Sequence, residues 1–232
     1  MKKIDSSKST NEIAKKHLYC FPGLAASSQI FEYISLPEDQ VEIHLLEWKL
    51  PVALGESIPE YVTRICQDIH HEKPILLGVS FGGIIVQEIS KIIEVEKVII
   101  VSSIKTHHEL PKRLRVIRDT RAYKLFPAKM AENLEDYTKF FLGDFLKKKA
   151  ELYKMYMSVR DANYMKWAIY NVLHWKQETP PEDVIHIHGT DDVVFPHKHI
   201  KDFIPIEKGK HEMILTKAKA ISKVLEEVVL DS

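Results

Sequence analysis

Ser80 is the residue in this chain best placed to do chemistry. It lies in Gly78-Val79-Ser80-Phe81-Gly82-Gly83. The apolar run Pro74-Ile75-Leu76-Leu77 before it reads as a buried parallel strand, and Ile84 to Ile93 after it is long enough for a helix on that sheet. The expected local order is strand, tight turn, helix. Gly78 and Gly82 carry no Cβ, so the strand and helix backbones can approach closely. Ser80 would then sit in a strained conformation with its hydroxyl lifted above the sheet. It would also lie at a helix N-terminus, where free N–H groups and the helix dipole favour developing negative charge. A serine hydroxyl is a poor nucleophile at neutral pH and needs a base beside it. Taken alone, the pentapeptide is also what an ordinary turn with a capping serine looks like.

In this setting Gly-x-Ser-x-Gly resembles the nucleophile elbow of the α/β-hydrolase fold. The passage Phe21-Pro22-Gly23-Leu24 resembles the first loop of that family, which usually begins His-Gly. The resemblance implies an oxyanion hole made by the backbone N–H groups of Leu24 and Phe81. Pro22 replaces the usual histidine, which puts the bracing of the loop in question but not the backbone donor. His188-Gly189-Thr190-Asp191-Asp192 with Pro196 is similar to the family's acid loop. It implies Asp192 as the catalytic carboxylate, with Asp191 the runner-up and otherwise a turn residue. His211, just past Gly209 between the last strand and the last helix, stands where the family places its base. Ser80, Asp192 and His211 thus follow the family's chain order.

The elements that must position these residues can be read around them. His17 to Phe21 is expected as the first strand, and Val41 to Trp48, partly alternating, as an edge strand. Ser57 to His70 reads as a helix capped by Ser57 with Pro59 in its first turn. Lys97 to Ser102, Val184 to Gly189 and Phe203 to Ile206 read as further strands, and Ile214 to Leu230 as one closing amphipathic helix. The fold class is therefore α/β, with a mainly parallel sheet of about six strands and helices on both faces, and the resemblance implies an α/β-hydrolase fold with a helical cap. Residues 17–104 and 177–232 form the core, 105–176 the cap insertion, and 1–16 a polar lead-in. The expected cap carries Tyr137, Phe140, Phe141, Phe145, Tyr153, Tyr156, Tyr164, Trp167 and Trp175, mostly as its own core.

Composition narrows the function classes. The 232 residues carry no net charge, with 45% hydrophobic and 28% charged residues, which fits a soluble globular domain and gives no global field for nucleic acid. No apolar run is long enough to cross a bilayer. Cys20 and Cys66 read as small buried hydrophobes, which points to a reducing, cytoplasmic setting. Residues 111–176 hold 15 Lys and Arg against 7 Asp and Glu, a bias that solvated helix faces also produce, but one that could draw anionic substrates such as acyl thioesters. His186, His188, His197 and His199 raise a zinc reading, but His188 already fills a slot of the acid-loop pattern, and no metal or other cofactor is expected. The resemblance implies a serine hydrolase cleaving a small-molecule ester or thioester through an acyl-enzyme. An acyltransferase or C–C bond hydrolase with the same triad, or a non-catalytic ligand-binding protein, remain alternatives. Epoxide hydrolase and dehalogenase chemistries on this fold use a carboxylate nucleophile, and Ser80 argues against both.

Overall fold

The structure is a computed structural model and describes residues 15–125 and 155–231. Of the expected cap aromatics, Tyr137, Phe140, Phe141, Phe145 and Tyr153 lie outside the described residues, as does most of the lead-in.

Six strands form one sheet: β1 Lys16–Phe21, β2 Val41–Leu45, β3 Ile75–Val79, β4 Lys97–Val101, β5 Val184–Gly189 and β6 Ile204–Ile206. Every pairing is parallel, and the order across the sheet is β2-β1-β3-β4-β5-β6. The central strands are covered on both faces, so they read as unbroken apolar runs; all five residues of β3 are buried. Alternate residues feed two separate cores. Tyr19, Phe21, Leu76, Val98 and Ile100 point to one, and Leu18, Cys20, Ile75, Leu77, Ile99 and Val101 to the other. β2 sits at the edge, and its partial alternation matches that position.

Six α-helices are described: α1 Ile58–Ile65, α2 Phe81–Ile89, α3 Lys112–Asp119, α4 Ala162–His174, α5 Met213–Thr216 and α6 Ala218–Leu230. The start of α1 is fixed by a capping box, in which Ser57 accepts from the Glu60 N–H and the Glu60 carboxylate accepts from the Ser57 N–H. α1, α2 and α4 cover one face, while α6 covers the other with Ile221, Leu225 and Val229. The closing helix is two helices rather than the single one expected. The chain breaks at Lys217 (φ −129°, ψ 22°). The break changes direction between Ile214 and Leu215, which face a pocket, and the α6 stripe on the sheet.

Between β4 and β5 the described residues contain α3, α4 and a 3-10 turn at Ala122–Leu125. Tyr164, Trp167 and Trp175 do not form a separate core there. They join the cluster under α1 and α2, where Trp167 donates its indole N–H to the Glu56 carbonyl and Trp175 donates to the Glu88 carboxylate, each at 2.7 Å.

The chain leaves β1 for the edge at β2, then returns to place β3 on β1's other side. Consecutive crossovers therefore diverge at the C-terminal ends of β1 and β3, the switch point where ligand crevices form in open parallel sheets. The loop after β1 and the turn after β3 meet there, with Phe21 in register with Gly78. A Cβ on Gly78 would overlap the Gly82 backbone, and one on Gly82 would overlap the carbonyls of Phe21 and Pro22. Gly78→Ala should therefore lower unfolding stability by roughly 1–3 kcal/mol or more. Gly55→Ala, whose added Cβ meets nothing within 4 Å, should stay within about 0.5 kcal/mol of the parent. Urea unfolding of the pair checks this, and equal stabilities would contradict the close approach.

Candidate active site

The turn after β3 places Ser80 at φ 53°, ψ −117°, outside the regions open to ordinary L-residues. Strain of this kind costs about 1–3 kcal/mol and persists only where the surroundings over-determine it. Here the Ser80 N–H donates to the Val101 carbonyl at 2.9 Å, and its carbonyl accepts from the Gly83 N–H at 2.9 Å and from the Ser103 hydroxyl at 2.7 Å. The side chain is left projecting at the head of α2.

Two loops from the far side of the sheet meet this hydroxyl. Gly189, ending β5, packs so closely on Gly209 that a Cβ on it would overlap the Gly209 carbonyl. The Asp191 N–H donates to that carbonyl at 2.9 Å, and the Lys208 N–H donates to Thr190 Oγ1 at 2.8 Å. The loops carrying Asp192 and His211 are thereby pressed together. His211 Nδ1 lies 2.9 Å from Asp192 Oδ2, and His211 Nε2 lies 2.9 Å from Ser80 Oγ. The other carboxylate oxygen of Asp192 accepts from the N–H groups of Val194 (2.7 Å) and Phe195 (3.0 Å). Burial pushes the Asp192 carboxyl upward, but the facing His211, the hydrogen bond to it, nearby His188 and the Phe195 N–H outweigh burial and hold it below its ordinary range. An ionised carboxylate here requires the proton of His211 on Nδ1, which leaves Nε2 to accept from Ser80. Asp191 is exposed and contributes its backbone N–H to the loop contact, while its carboxylate stands outside this row.

The acid loop has a second support. His188 is fully buried and donates Nε2–H to the Phe195 carbonyl at 2.8 Å, while its Nδ1 accepts from His186 at 3.1 Å. The four histidines weighed as zinc ligands thus part company, with His197 at the Thr190 carbonyl instead. Arg113 of α3 reaches the same loop from above and donates to the carbonyls of Val193 and Val194 at 3.0 and 3.3 Å. Burial pushes its guanidinium pKa down, and the nearby Asp192 pushes it back up.

The Gly23–Leu24 loop faces the elbow, and no described residue accepts from the N–H of Leu24 or of Phe81. Its bracing does not need the histidine that Pro22 replaces. Trp48, just beyond β2, donates its indole N–H to the Gly23 carbonyl at 2.7 Å and stacks on Phe81 with centroids 5.1 Å apart. Tyr164 of α4 accepts from the Ala25 N–H at 3.0 Å, and Ala25 itself has φ 59°. Its carbonyl accepts from the N–H groups of Ser158 and Val159 at 3.1 and 3.3 Å. Sequence reading missed Trp48, Tyr164, Ser103 and Arg113. Ser103 and Trp48 lie 23 and 25 positions from the residues they bond, and neither belongs to a motif.

A pocket opens on Ser80 and His211. Leu114, Met157, Ile169, Leu173, Ile214 and Leu215 form much of its wall, and Glu212 is its one acidic lining residue among those described. The site therefore joins a short polar row to a largely apolar chamber.

No protein-family model matches the sequence, and no curated protein is significantly similar to it. Solved structures are similar in fold. An esterase from Exiguobacterium antarcticum superposes with a TM-score of 0.65 at 16% identity, over 93% of this chain and 92% of its own. A bromoperoxidase from Bacillus anthracis gives 0.65 at 15%, over 95% and 94%. An epoxide hydrolase from Bacillus megaterium gives 0.67 at 14%, over 95% of both. The chain has the α/β-hydrolase fold. The three differ in chemistry, so the fold leaves the reaction to be argued from the site.

Tyr164→Phe should leave the buried Ala25 N–H without its acceptor and cost about 1–3 kcal/mol. Tyr170→Phe, on an exposed position of the same helix, should cost less than about 0.5 kcal/mol. Thermal and urea unfolding of the two variants provide the check.

Proposed function

We propose that this protein is a serine hydrolase that cleaves a carboxylic ester or thioester with an apolar acyl group. The observation that carries the reading is the continuous row Ser80 Oγ–His211–Asp192, with both links at 2.9 Å, opening into an apolar pocket. His211 Nε2 takes the Ser80 proton as Oγ attacks the substrate carbonyl carbon. The carbonyl π pair moves onto oxygen, and the N–H groups of Leu24 and Phe81, with the α2 N-terminus behind Phe81, would receive that charge. Asp192 stabilises the imidazolium and holds its tautomer. Collapse of the tetrahedral adduct breaks the bond to the leaving oxygen or sulfur, which takes the proton from Nε2. Water, deprotonated by His211, then attacks the acyl carbonyl; the acyl–Oγ bond breaks, Ser80 Oγ recovers the proton from Nε2, and the acid leaves.

The strain at Ser80 supports catalysis over simple ligand binding, because a binding pocket has no need of a serine held at φ 53°. The lining favours apolar acyl chains. It gives less support to attraction of an anionic leaving group by the basic segment, since Arg113 is engaged with the acid loop and Arg118 pairs with Asp119 at 2.9 Å.

Asp192→Asn should lower kcat on a p-nitrophenyl ester by about four orders of magnitude with the fold retained, whereas Asp191→Asn should change it less than about threefold. Steady-state kinetics with circular dichroism as the fold control checks both. Comparable activity in the parent and Asp192→Asn would remove Asp192 from the mechanism. Across p-nitrophenyl esters of increasing chain length, kcat/KM should rise from acetate before it falls. A maximum at acetate would contradict an acyl group seated in the apolar pocket.

A further inference from the structure

The N-terminal end of the sheet carries a second constellation, at the opposite end of the strands from Ser80. His17 comes from β1, His44 from β2 and His71 from the loop after α1. Each offers one ring nitrogen, and the three atoms lie within 4.8 Å of one another. His17 Nδ1 stands 3.1 Å from His44 Nε2. The Glu42 carboxylate, in register with His17 across the parallel pair, sits 3.7 Å from His17 Nδ1 and 3.9 Å from His44 Nε2. All three imidazoles are partly buried, open enough for an ion to enter and shielded enough to hold one.

Tetrahedral zinc with bonds of about 2.0–2.1 Å spaces its ligand atoms roughly 3.3–3.4 Å apart. The His17–His44 pair is already within a few tenths of an ångström of that, while the His71 ring, stacked on His17 at 3.5 Å with 14° between the planes, must turn its edge toward them to ligate. The layer behind them suits ligation. Tyr19 is 2% exposed, and its hydroxyl lies 2.7 Å from His71 Nδ1 while accepting from the His70 N–H at 3.1 Å. With Nδ1 held by that oxygen, His71 Nε2 is the atom left to bind, as metal-ligating histidines require. The Tyr19 ring also stacks on His44 at 4.5 Å.

We propose that His17, His44 and His71, with Glu42 as the fourth ligand, form a binding site for a divalent first-row transition ion of the zinc class. Imidazole suits such ions and one carboxylate completes a tetrahedral set. The ion would tie the edge strand β2 and the loop after α1 to β1. Its role is structural, because the catalytic candidates stand at the other end of the strands. Three single histidines in separate elements form no spacing motif, unlike the closely spaced histidines between 186 and 199.

Titration with Co2+, read by visible absorption, tests the site. The expected result is intense tetrahedral d–d bands that saturate at one Co2+ per chain and are displaced by Zn2+, together with a rise in the thermal midpoint when Zn2+ is added. His44→Ala should abolish the bands and the thermal rise; His71→Ala is read instead where His44→Ala does not fold. His108→Ala should change neither signal. It disrupts the other three-ligand group among the described residues, His107, His108 and Glu178. Ser80→Ala should also leave both intact, so the result is independent of the proposed hydrolase activity. Weak bands typical of aqueous Co2+, or tetrahedral bands that persist in both His44→Ala and His71→Ala, would overturn the proposal.

Discussion

The rest of the site depends on one backbone conformation, the left-handed turn at Ser80 between β3 and α2. An L-residue does not adopt φ 53° with ψ −117° unaided. It is held there because the strand and helix on either side approach closer than any Cβ would permit, through Gly78 and Gly82. Hydrogen bonds from Ser80 N–H to Val101 and from Ser103 to the Ser80 carbonyl fix the peptide on both sides. This arrangement places a hydroxyl above the end of the sheet and the Phe81 N–H beside it, at the start of a helix buried along its whole length. Relaxing the turn would withdraw the hydroxyl from His211 and shift Phe81 off Trp48 together.

Around this point the molecule is built from loops that brace each other in pairs. Gly189 and Gly209 bring the acid and base loops into contact, and Trp48 joins the first loop to the elbow by bonding Gly23 and stacking on Phe81. The segment between β4 and β5 reaches back to both: Tyr164 to Ala25 on one side, Arg113 to Val193 and Val194 on the other. Its described residues thus line part of the pocket and hold its rim, so changes there would affect the geometry of the site. Toward the opposite end of the strands, the histidine group on β1, β2 and the loop after α1 shares none of the hydrogen bonds named here.

What the sequence made legible follows from how local each determinant is. The elbow was readable because strand, glycines, serine and helix lie within twenty residues and each is required by the others. Asp192 and His211 sit in short loops with their own glycines, so their places followed once the fold family was in view. The central strands β3 and β4 were readable because buried parallel strands are unbroken apolar runs, and the edge strand β2 through its partial alternation. The break at Lys217 was not, since the apolar spacing of Met213 to Leu230 continues through it and the change of direction is set by the pocket. Tyr164, Arg113 and Trp48 were invisible for another reason. They act on residues 139, 80 and 25 positions away through one or two hydrogen bonds each, and such partners leave no pattern in a single chain. Pro22 misled in the same way, because the bracing that its histidine counterpart would supply comes here from elsewhere.

The claim that Ser80 is the nucleophile is open to one direct measurement. Incubation with a fluorophosphonate ester forms a covalent phosphonyl adduct on an activated serine and releases fluoride, and peptide mass spectrometry locates the adduct. A single adduct on the peptide carrying Ser80 is expected, with none on the Ser80→Ala protein and much slower formation on His211→Gln. Labelling that survives Ser80→Ala unchanged, or that maps to a different serine, would contradict the central assignment.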